Sequence, residues 1–291
     1  MSTVLYYFIM KKRSCIPSRL TALFLLFTMA LSLTACREKD PNEGKVEVYN
    51  GQAWDWITPW EGVEVSALTE QDFYSPDAGE TVHYTGDACR VQEGIDVSYY
   101  QGDVDWKAVA ADGIEFAMIR AGYRGYTDGY ISKDPCFLEN AAGALAAGLE
   151  IGLYIFSQAT TAEEAREEAQ WLVDAASDYD VTLPLVFDWE PITDYEARTD
   201  GMMGTEITAC AEAFCDTVRA AGYMPGVYFS AWQGYYDYDL GALSDAEFWV
   251  SQIGSWDEFY YAHGMWQYTF SGRVDGITSQ VDRDLRYVPA E

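Results

Sequence analysis

Histidine is nearly missing from this chain: His83 and His263 are the only two, and neither stands in a metal-ligand spacing. A zinc site wants several such ligands and a Ser-His triad wants its base, so both chemistries are disfavoured and no cofactor or metal is expected. Positive charge is scarce too, at 18 Lys and Arg against 47 Asp and Glu. Nucleic acid, a polyanion, is a poor partner for such a surface. No internal repeat of about 20 to 50 residues is present, which excludes solenoids and propellers. The uncharged apolar run Leu20 to Ala35 is too short for a comfortable membrane span.

What is present is apolar and aromatic. With 49% hydrophobic residues, 291 positions hold one large barrel or two ordinary domains. Lys11, Lys12, Arg13 and Arg19 precede the Leu20 to Ala35 run, and together they read as an export signal over residues 1–35. The run ends in Leu33-Thr34-Ala35-Cys36, which resembles the bacterial lipobox, where cleavage precedes a cysteine that then carries lipid. Cys36 is therefore the expected lipidation site, with a membrane as partner and the outer face of the cell membrane as location. An ordinary cleaved signal and free secretion is the alternative, and translation starts at Met1 or at Met10. Without its four basic residues the mature chain keeps 14 Lys and Arg against 47 acids, a formal charge of −33.

Past Cys15 and Cys36, four cysteines remain: Cys89, Cys136, Cys210 and Cys215. Four permit three full pairings in an exported protein. Cys210 and Cys215, about 140° apart on a probable helix, are awkward to join to each other, and buried free thiols are the alternative for that pair.

Residues 36–92 are polar and rich in Gly and Pro, which suggests a tether in which VEVYN and TVHYT supply short strands that fold back on the next domain. Residues 93–291 change character. Strands are expected at 94–98, 116–122, in IGLYIFSQA, in LPLVFDWE and at 224–230. Helices are expected between them over Val104–Asp112, Asp134–Ala147 with Gly148 as cap, Thr161–Ala176 opened by a capping box with Glu164, and Thr205–Ala221. EFWVSQI, MWQYTF and QVDRDLR come next as bare strands. Five strand-helix steps and three strands make eight, the number that closes a TIM-like α/β barrel.

The stretch that carries chemistry is LPLVFDWEP, residues 183–191. Alternation along a strand puts Asp188 and Glu190 on one face, about 6.6 Å apart at the backbone. Each carboxylate then raises the other's proton affinity, as an acid/base pair requires. Asp96 late on the first strand and Asp282 on the last would join them if working residues gather at the C-terminal ends of parallel strands. Taken singly, Asp96 and Asp282 read more plainly as turn or capping aspartates.

Several motifs together resemble the glycoside hydrolase family 25 lysozymes. They are GIDVSYYQGDVDW at 94–106, FAMIRAGYRG at 116–125, GLYIFSQATTAEEAREEA at 152–169, LPLVFDWE at 183–190 and MWQYTFSGRVDGITSQVD at 265–282. The resemblance implies an irregular (β/α)5(β)3 barrel and hydrolysis of the β-1,4 bond between N-acetylmuramic acid and N-acetylglucosamine in peptidoglycan. It implies Glu190 as general acid, Asp188 as partner carboxylate and Asp96 and Asp282 as supporting acids. No wall-binding repeat is recognisable, and a monomer is expected.

Glycosidic cleavage needs a protonated donor and a negative group to steady an oxocarbenium-like transition state. Glu190 is the expected donor, and Asp188 remains open as base, nucleophile or orienter of a 2-acetamido group. The excess of aromatics suits sugar stacking, and Gln101, Tyr154, Tyr228, Trp266 and Tyr268 are the expected substrate contacts. Two other readings remain: a non-catalytic peptidoglycan-binding lipoprotein, and a barrel hydrolase of another N-acetylglucosamine polymer such as chitin. The chitinase-type DxxDxDxE pattern is absent from the residues before Glu190.

Overall fold

The computed structural model describes residues 40–77 and 80–289; the expected export signal and lipidation site Cys36 lie outside them. The strands are β1 (Val46–Tyr49), β2 (Trp54–Ile57), β3 (Phe73–Tyr74), β4 (His83–Tyr84), β5 (Cys89–Val97), β6 (Phe116–Arg124), β7 (Ile131–Lys133), β8 (Glu150–Ser157), β9 (Leu185–Trp189), β10 (Pro225–Ser230), β11 (Glu247–Ser251), β12 (Met265–Gly272) and β13 (Val281–Pro289). The α-helices among the described residues are α1 (Trp106–Ala111), α2 (Phe137–Ala147), α3 (Ala162–Ala176), α4 (Gly204–Ala220) and α5 (Ala231–Tyr236).

β5, β6 and β8 to β13 form a closed barrel, sealed by the pairing of β5 with β6, and β7 pairs with β6 outside the ring. The first seven barrel strands run parallel, as the eightfold count requires, and an α-helix comes after each of the first five. The last strand departs from that rule. β13 runs antiparallel to both β12 and β5, so its beginning and not its end reaches the rim where the other strands end. Asp282 is thereby brought opposite Asp96, its direct partner in register.

Burial sorts by parity. Outward-facing residues of the strands meet the helices in one large apolar cluster, while Phe116, Met118, Tyr154, Val186, Tyr228, Trp249 and Met265 fill the barrel's interior. α3 shows why a helix forms there: Ala165, Glu168, Ala169, Leu172 and Ala176 recur three and four apart and are buried. Thr161 accepts from the Glu164 amide at its start, but the Glu164 carboxylate turns to the Thr160 amide at 2.8 Å and to Arg198, so only half of the expected capping box forms. Gly148 closes α2 with φ at 90°, the left-handed conformation of a helix C-terminus. α2 begins later than Asp134 because that carboxylate is drawn into an ion pair with Arg120.

The expected tether is largely folded. Lys45 to Glu291 form one compact unit, preceded in the other unit by a turn over Asp40 to Glu43. VEVY pairs with WDWI as the β1–β2 ribbon, and His83–Tyr84 of TVHYT pairs with β3, so the two segments do not pair with each other. Val48 and Ile57 enter the main core, and Phe73 and Val82 pack on Trp266. The barrel's first strand likewise begins at Cys89, earlier than residue 94. Cys89, Cys136, Cys210 and Cys215 are all free thiols, and burial pushes Cys210 and Cys215 up to about 12.

Candidate active site

Above the apolar layer inside the barrel lies a layer of acids. A cavity of about 730 Å³ opens at the rim formed by the C-terminal ends of the parallel strands, and Asp96, Asp188, Glu190 and Asp282 all line it. Val186 on the same face of β9 is packed among the interior side chains, which confirms the parity that sends Asp188 and Glu190 inward. Asp188 is buried and Glu190 is half-buried, nearer the opening.

Their backbones are held from outside. The Gln158 amide donates to the Glu190 carbonyl at 2.9 Å, and Gln233 donates to the Trp189 carbonyl at 3.0 Å. Gln158, itself buried, accepts from Thr199 Oγ1 at 2.8 Å, while its carbonyl accepts from Arg198. A buried amide with both ends engaged fixes the chain that carries the acid.

The acid layer retains protons. Asp188 has its proton affinity raised well above the ordinary carboxylate by burial first and then by Glu190, with the Arg120 charge opposing. Glu190 is raised by burial and by Asp282, while its contact with Asp188 raises Asp188 and lowers Glu190. Asp96 is raised by burial and by the charges of Asp282 and Asp284, and burial holds Asp282 at about 6. Asp188 Oδ1 is buried without a hydrogen-bond partner. Two adjacent carboxyls that cannot both ionise in a low-dielectric mouth share a proton at neutral pH.

Three side chains of this layer are not evident from the sequence pattern alone. Gln267 bridges the site, accepting from Tyr228 Oη at 2.7 Å and donating to Asp96 Oδ2 at 2.7 Å. Trp249 Nε1 donates to Asp284 Oδ1 at 2.8 Å, and Asp284 joins Asp96 and Asp188 as a buried acid of this layer. The signal is the same as in FDWE: Asp282 and Asp284 are two apart on a strand, and Gln267 has the inward parity of Met265. Arg120 pairs with Asp134 at 2.8 Å and lies 5.1 and 5.4 Å from the Tyr99 and Tyr100 rings.

Of the expected substrate contacts, Tyr154 and Tyr228 line the cavity floor. Gln101 also lines it, but its side chain accepts from the Ser98 amide at 2.9 Å and so shapes the turn that presents Tyr99 and Tyr100. Trp266 and Tyr268 do not reach the cavity. They have the opposite parity from Gln267, point out of the barrel and are fully buried against Phe73, Val82 and Leu285. The Trp266 indole donates to the Gln252 carbonyl there. The rim instead offers Tyr126, whose ring stacks with exposed Tyr195 at 6.0 Å. Among the described residues no group of His, Cys, Asp and Glu is arranged to hold a metal.

Paired carboxyls at the mouth of an α/β barrel are the equipment of glycoside hydrolases. Residues 95–277 match the profile of the glycosyl hydrolases family 25, and the chain belongs to that family. It is 28% identical over 202 residues to Lysozyme M1 of Streptomyces globisporus, covering 66% of each chain. It is 27% identical to the autolytic lysozyme of Clostridium acetobutylicum, covering 66% of this chain and 55% of that one. The match thus spans less than two thirds of each relative's length. The crystal structure of a bacterial lysozyme from Streptomyces coelicolor superposes with a TM-score of 0.53 at 26% identity, covering 66% of this chain and 90% of that one.

Proposed function

We propose that this protein is a peptidoglycan hydrolase that cleaves the β-1,4 bond between N-acetylmuramic acid and N-acetylglucosamine. The observation that carries the reading is the Asp188–Glu190 pair lining one cavity, with Glu190 on the open side and Asp188 beneath it. Glu190, on the open side and raised by burial and by Asp282, passes the proton that the pair shares to the leaving oxygen. Asp188 supplies the negative charge that the oxocarbenium-like transition state needs. Membership of the family favours retention with acetamido participation over attack by the carboxylate itself. Asp96 and Asp282 keep the mouth negative, and Gln267 holds Asp96 and Tyr228 in place. Both relatives are named as lysozymes, in agreement with that chemistry.

The test is to digest purified peptidoglycan and identify the new reducing end by mass spectrometry. A muramic acid end is expected from the wild type and none from Glu190→Gln; a glucosamine end, or equal digestion by both, refutes the assignment.

We further propose, from the basic segment and the Leu33-Thr34-Ala35-Cys36 box, that the mature chain begins at a lipidated Cys36 on the outer face of a cell membrane. Because the folded unit begins at Lys45, only the residues between Cys36 and Lys45 are left to serve as a leash. That short leash replaces the long one expected if residues 36–92 were extended, and it suits remodelling of the wall nearest the cell's own membrane. Metabolic fatty-acid labelling with cell fractionation tests this: Cys36→Ser loses the label, and unlabelled wild type in the medium sinks the anchor.

A further inference from the structure

The β1–β2 ribbon lies outside residues 95–277, so the family's barrel does not account for it. Its two faces differ. Val46, Val48 and Ile57 face the core, while Tyr49, Trp54 and Trp56 share the other face through the register Tyr49↔Trp54 and Glu47↔Trp56. Trp54 is 61% exposed and Trp56 40%, and the Tyr49 and Trp54 rings lie 5.8 Å apart. An unfilled pair of indoles on a two-stranded ribbon is a costly use of surface unless something covers it.

The ribbon stands at the mouth of the barrel. Tyr49 O accepts from Gln252, the residue after β11 ends, and Asn50 and Asp55 bind the Tyr236 hydroxyl of α5 at 3.2 and 2.7 Å. α5 itself springs from the C-terminal end of β10, two residues after Tyr228 in the cavity floor. It adds a second exposed pair, Trp232 and Tyr236, with rings 4.5 Å apart and Trp232 44% exposed. Two aromatic groups therefore adjoin on the rim over β10 and β11, while the cavity opens past Tyr99, Tyr100 and Tyr126 on another sector.

We infer that the ribbon and α5 form an auxiliary glycan-binding platform, which holds the sugar strand beyond the bond being cut. This rests on the peptidoglycan reading above. A polymer lying across the mouth must leave the cavity on some side, and pyranose rings offer apolar faces to indoles. Fixing the rings in advance, through Asp55 and Asn50 on Tyr236, lowers the ordering cost of binding.

The experiment is co-sedimentation with purified, insoluble peptidoglycan in a Glu190→Gln background, where nothing is digested. Trp54→Ala/Trp56→Ala/Trp232→Ala is expected to raise the half-saturating polymer concentration on the order of ten-fold, the scale of losing buried aromatic anchors. Tyr74→Ala, an exposed aromatic on β3 away from the ribbon, is expected to leave it unchanged, and Trp54→Phe/Trp56→Phe/Trp232→Phe to recover most of the loss. In the active enzyme the triple alanine variant is expected to lower turnover of polymer more than turnover of a soluble muramyl tetrasaccharide. Parental affinity in the triple variant overturns the inference. So does binding to neutral phosphatidylcholine vesicles that the variant loses while its affinity for peptidoglycan stays. If the platform binds polymer but the wild type releases no muramic acid ends, the hydrolase reading fails and the platform stands.

Discussion

Two groups of buried carboxylates occupy this barrel under opposite conditions. On the flank, Glu168 accepts from Arg124 Nε and from Ser157 Oγ, each at 2.6 Å, and Arg124 continues to the Gly129 and Glu164 carbonyls and to Glu167. Burial still lifts Glu168 to about 7, with the Ser157 and Arg124 bonds pulling it down. At the mouth, Asp96, Asp188, Glu190, Asp282 and Asp284 crowd together, and Arg120, the cation acting on Asp188, is already committed to Asp134. Asp188 Oδ1 and Asp284 Oδ2 are buried and unpartnered. Equal burial is therefore not equal purpose. The flank cluster is satisfied and pins the segments around Gly129 and Glu164, whereas the mouth cluster keeps protons it would lose in water, at a cost in stability that an active site can justify.

That contrast predicts the largest effect at Glu190. Glu190→Gln keeps shape and removes the transferable proton, so the rate is expected to fall by about 10² to 10⁴ with substrate binding largely kept. Asp188→Asn is expected to be comparably damaging, measured as kcat on purified peptidoglycan. The wild-type rate is expected to fall on the alkaline side with a limb well above the free Glu value of about 4.3. A rate that stays flat to pH 9 contradicts a carboxylic donor.

The legible parts were those governed by alternation and by the eightfold count. FDWE set the parity of Asp188 and Glu190, and five strand-helix steps followed by three strands set the barrel. What failed to read had physical causes. The direction of β13 is invisible to periodicity, because parallel and antiparallel strands alternate alike. Trp266 and Tyr268 suggest substrate contact by residue type, although their parity opposes that of Gln267, and what buries them is a segment about 190 residues earlier in the chain. The same segment resembles a tether because Gly and Pro punctuate it, yet Val48, Ile57, Phe73 and Val82 suffice to dock it. Asp134 reads as a helix start because its use in pairing with Arg120 depends on a fold not visible locally.

The flank should break by loss of charge balance. Arg124→Met leaves Glu168 buried without its cation, and removing one partner of such a pair costs about 3 to 5 kcal/mol. Thermal unfolding is expected to show a Tm lower by on the order of 10 °C. Glu168→Leu in the same chain is expected to recover part of the loss, a coupling that a double-mutant cycle measures. Equal losses in the single and double variants would mean that Arg124 acts through its contacts to the Gly129 and Glu164 carbonyls instead.

A smaller effect is expected at Gln158, which positions the acid without touching substrate. Gln158→Leu leaves the Glu190 carbonyl and the Thr199 hydroxyl without their partner. The expected result is a kcat lower by about ten-fold, KM nearly unchanged, and a shifted alkaline limb, because Glu190 no longer sits where burial and Asp282 raise its proton affinity. A loss confined to KM would assign Gln158 to substrate binding.

The smallest effect concerns stability against pH, to which the raised carboxyls of both clusters contribute with the same sign. A carboxyl raised in the folded state binds its proton more tightly there than in the unfolded chain, where Asp titrates near 3.9. Its stabilising contribution is complete below that value and is lost as pH rises through the folded pKa, about 6 for Asp282 and well above the ordinary range for Asp284. The protein is therefore expected to melt at a higher temperature near pH 5 than near pH 8. Asp284→Asn removes one such charge while its amide oxygen can still accept from Trp249 Nε1. The variant is expected to be more stable than wild type by about 1 to 2 kcal/mol at pH 8 and no different at pH 3, where the wild-type carboxyl is protonated in both states. Differential scanning calorimetry across that range reads both ends. A variant destabilised equally at pH 3 and pH 8 would show that Asp284 is held as a structural hydrogen-bond acceptor, like Glu168 on the flank, and that the mouth stores less electrostatic cost than its burial implies.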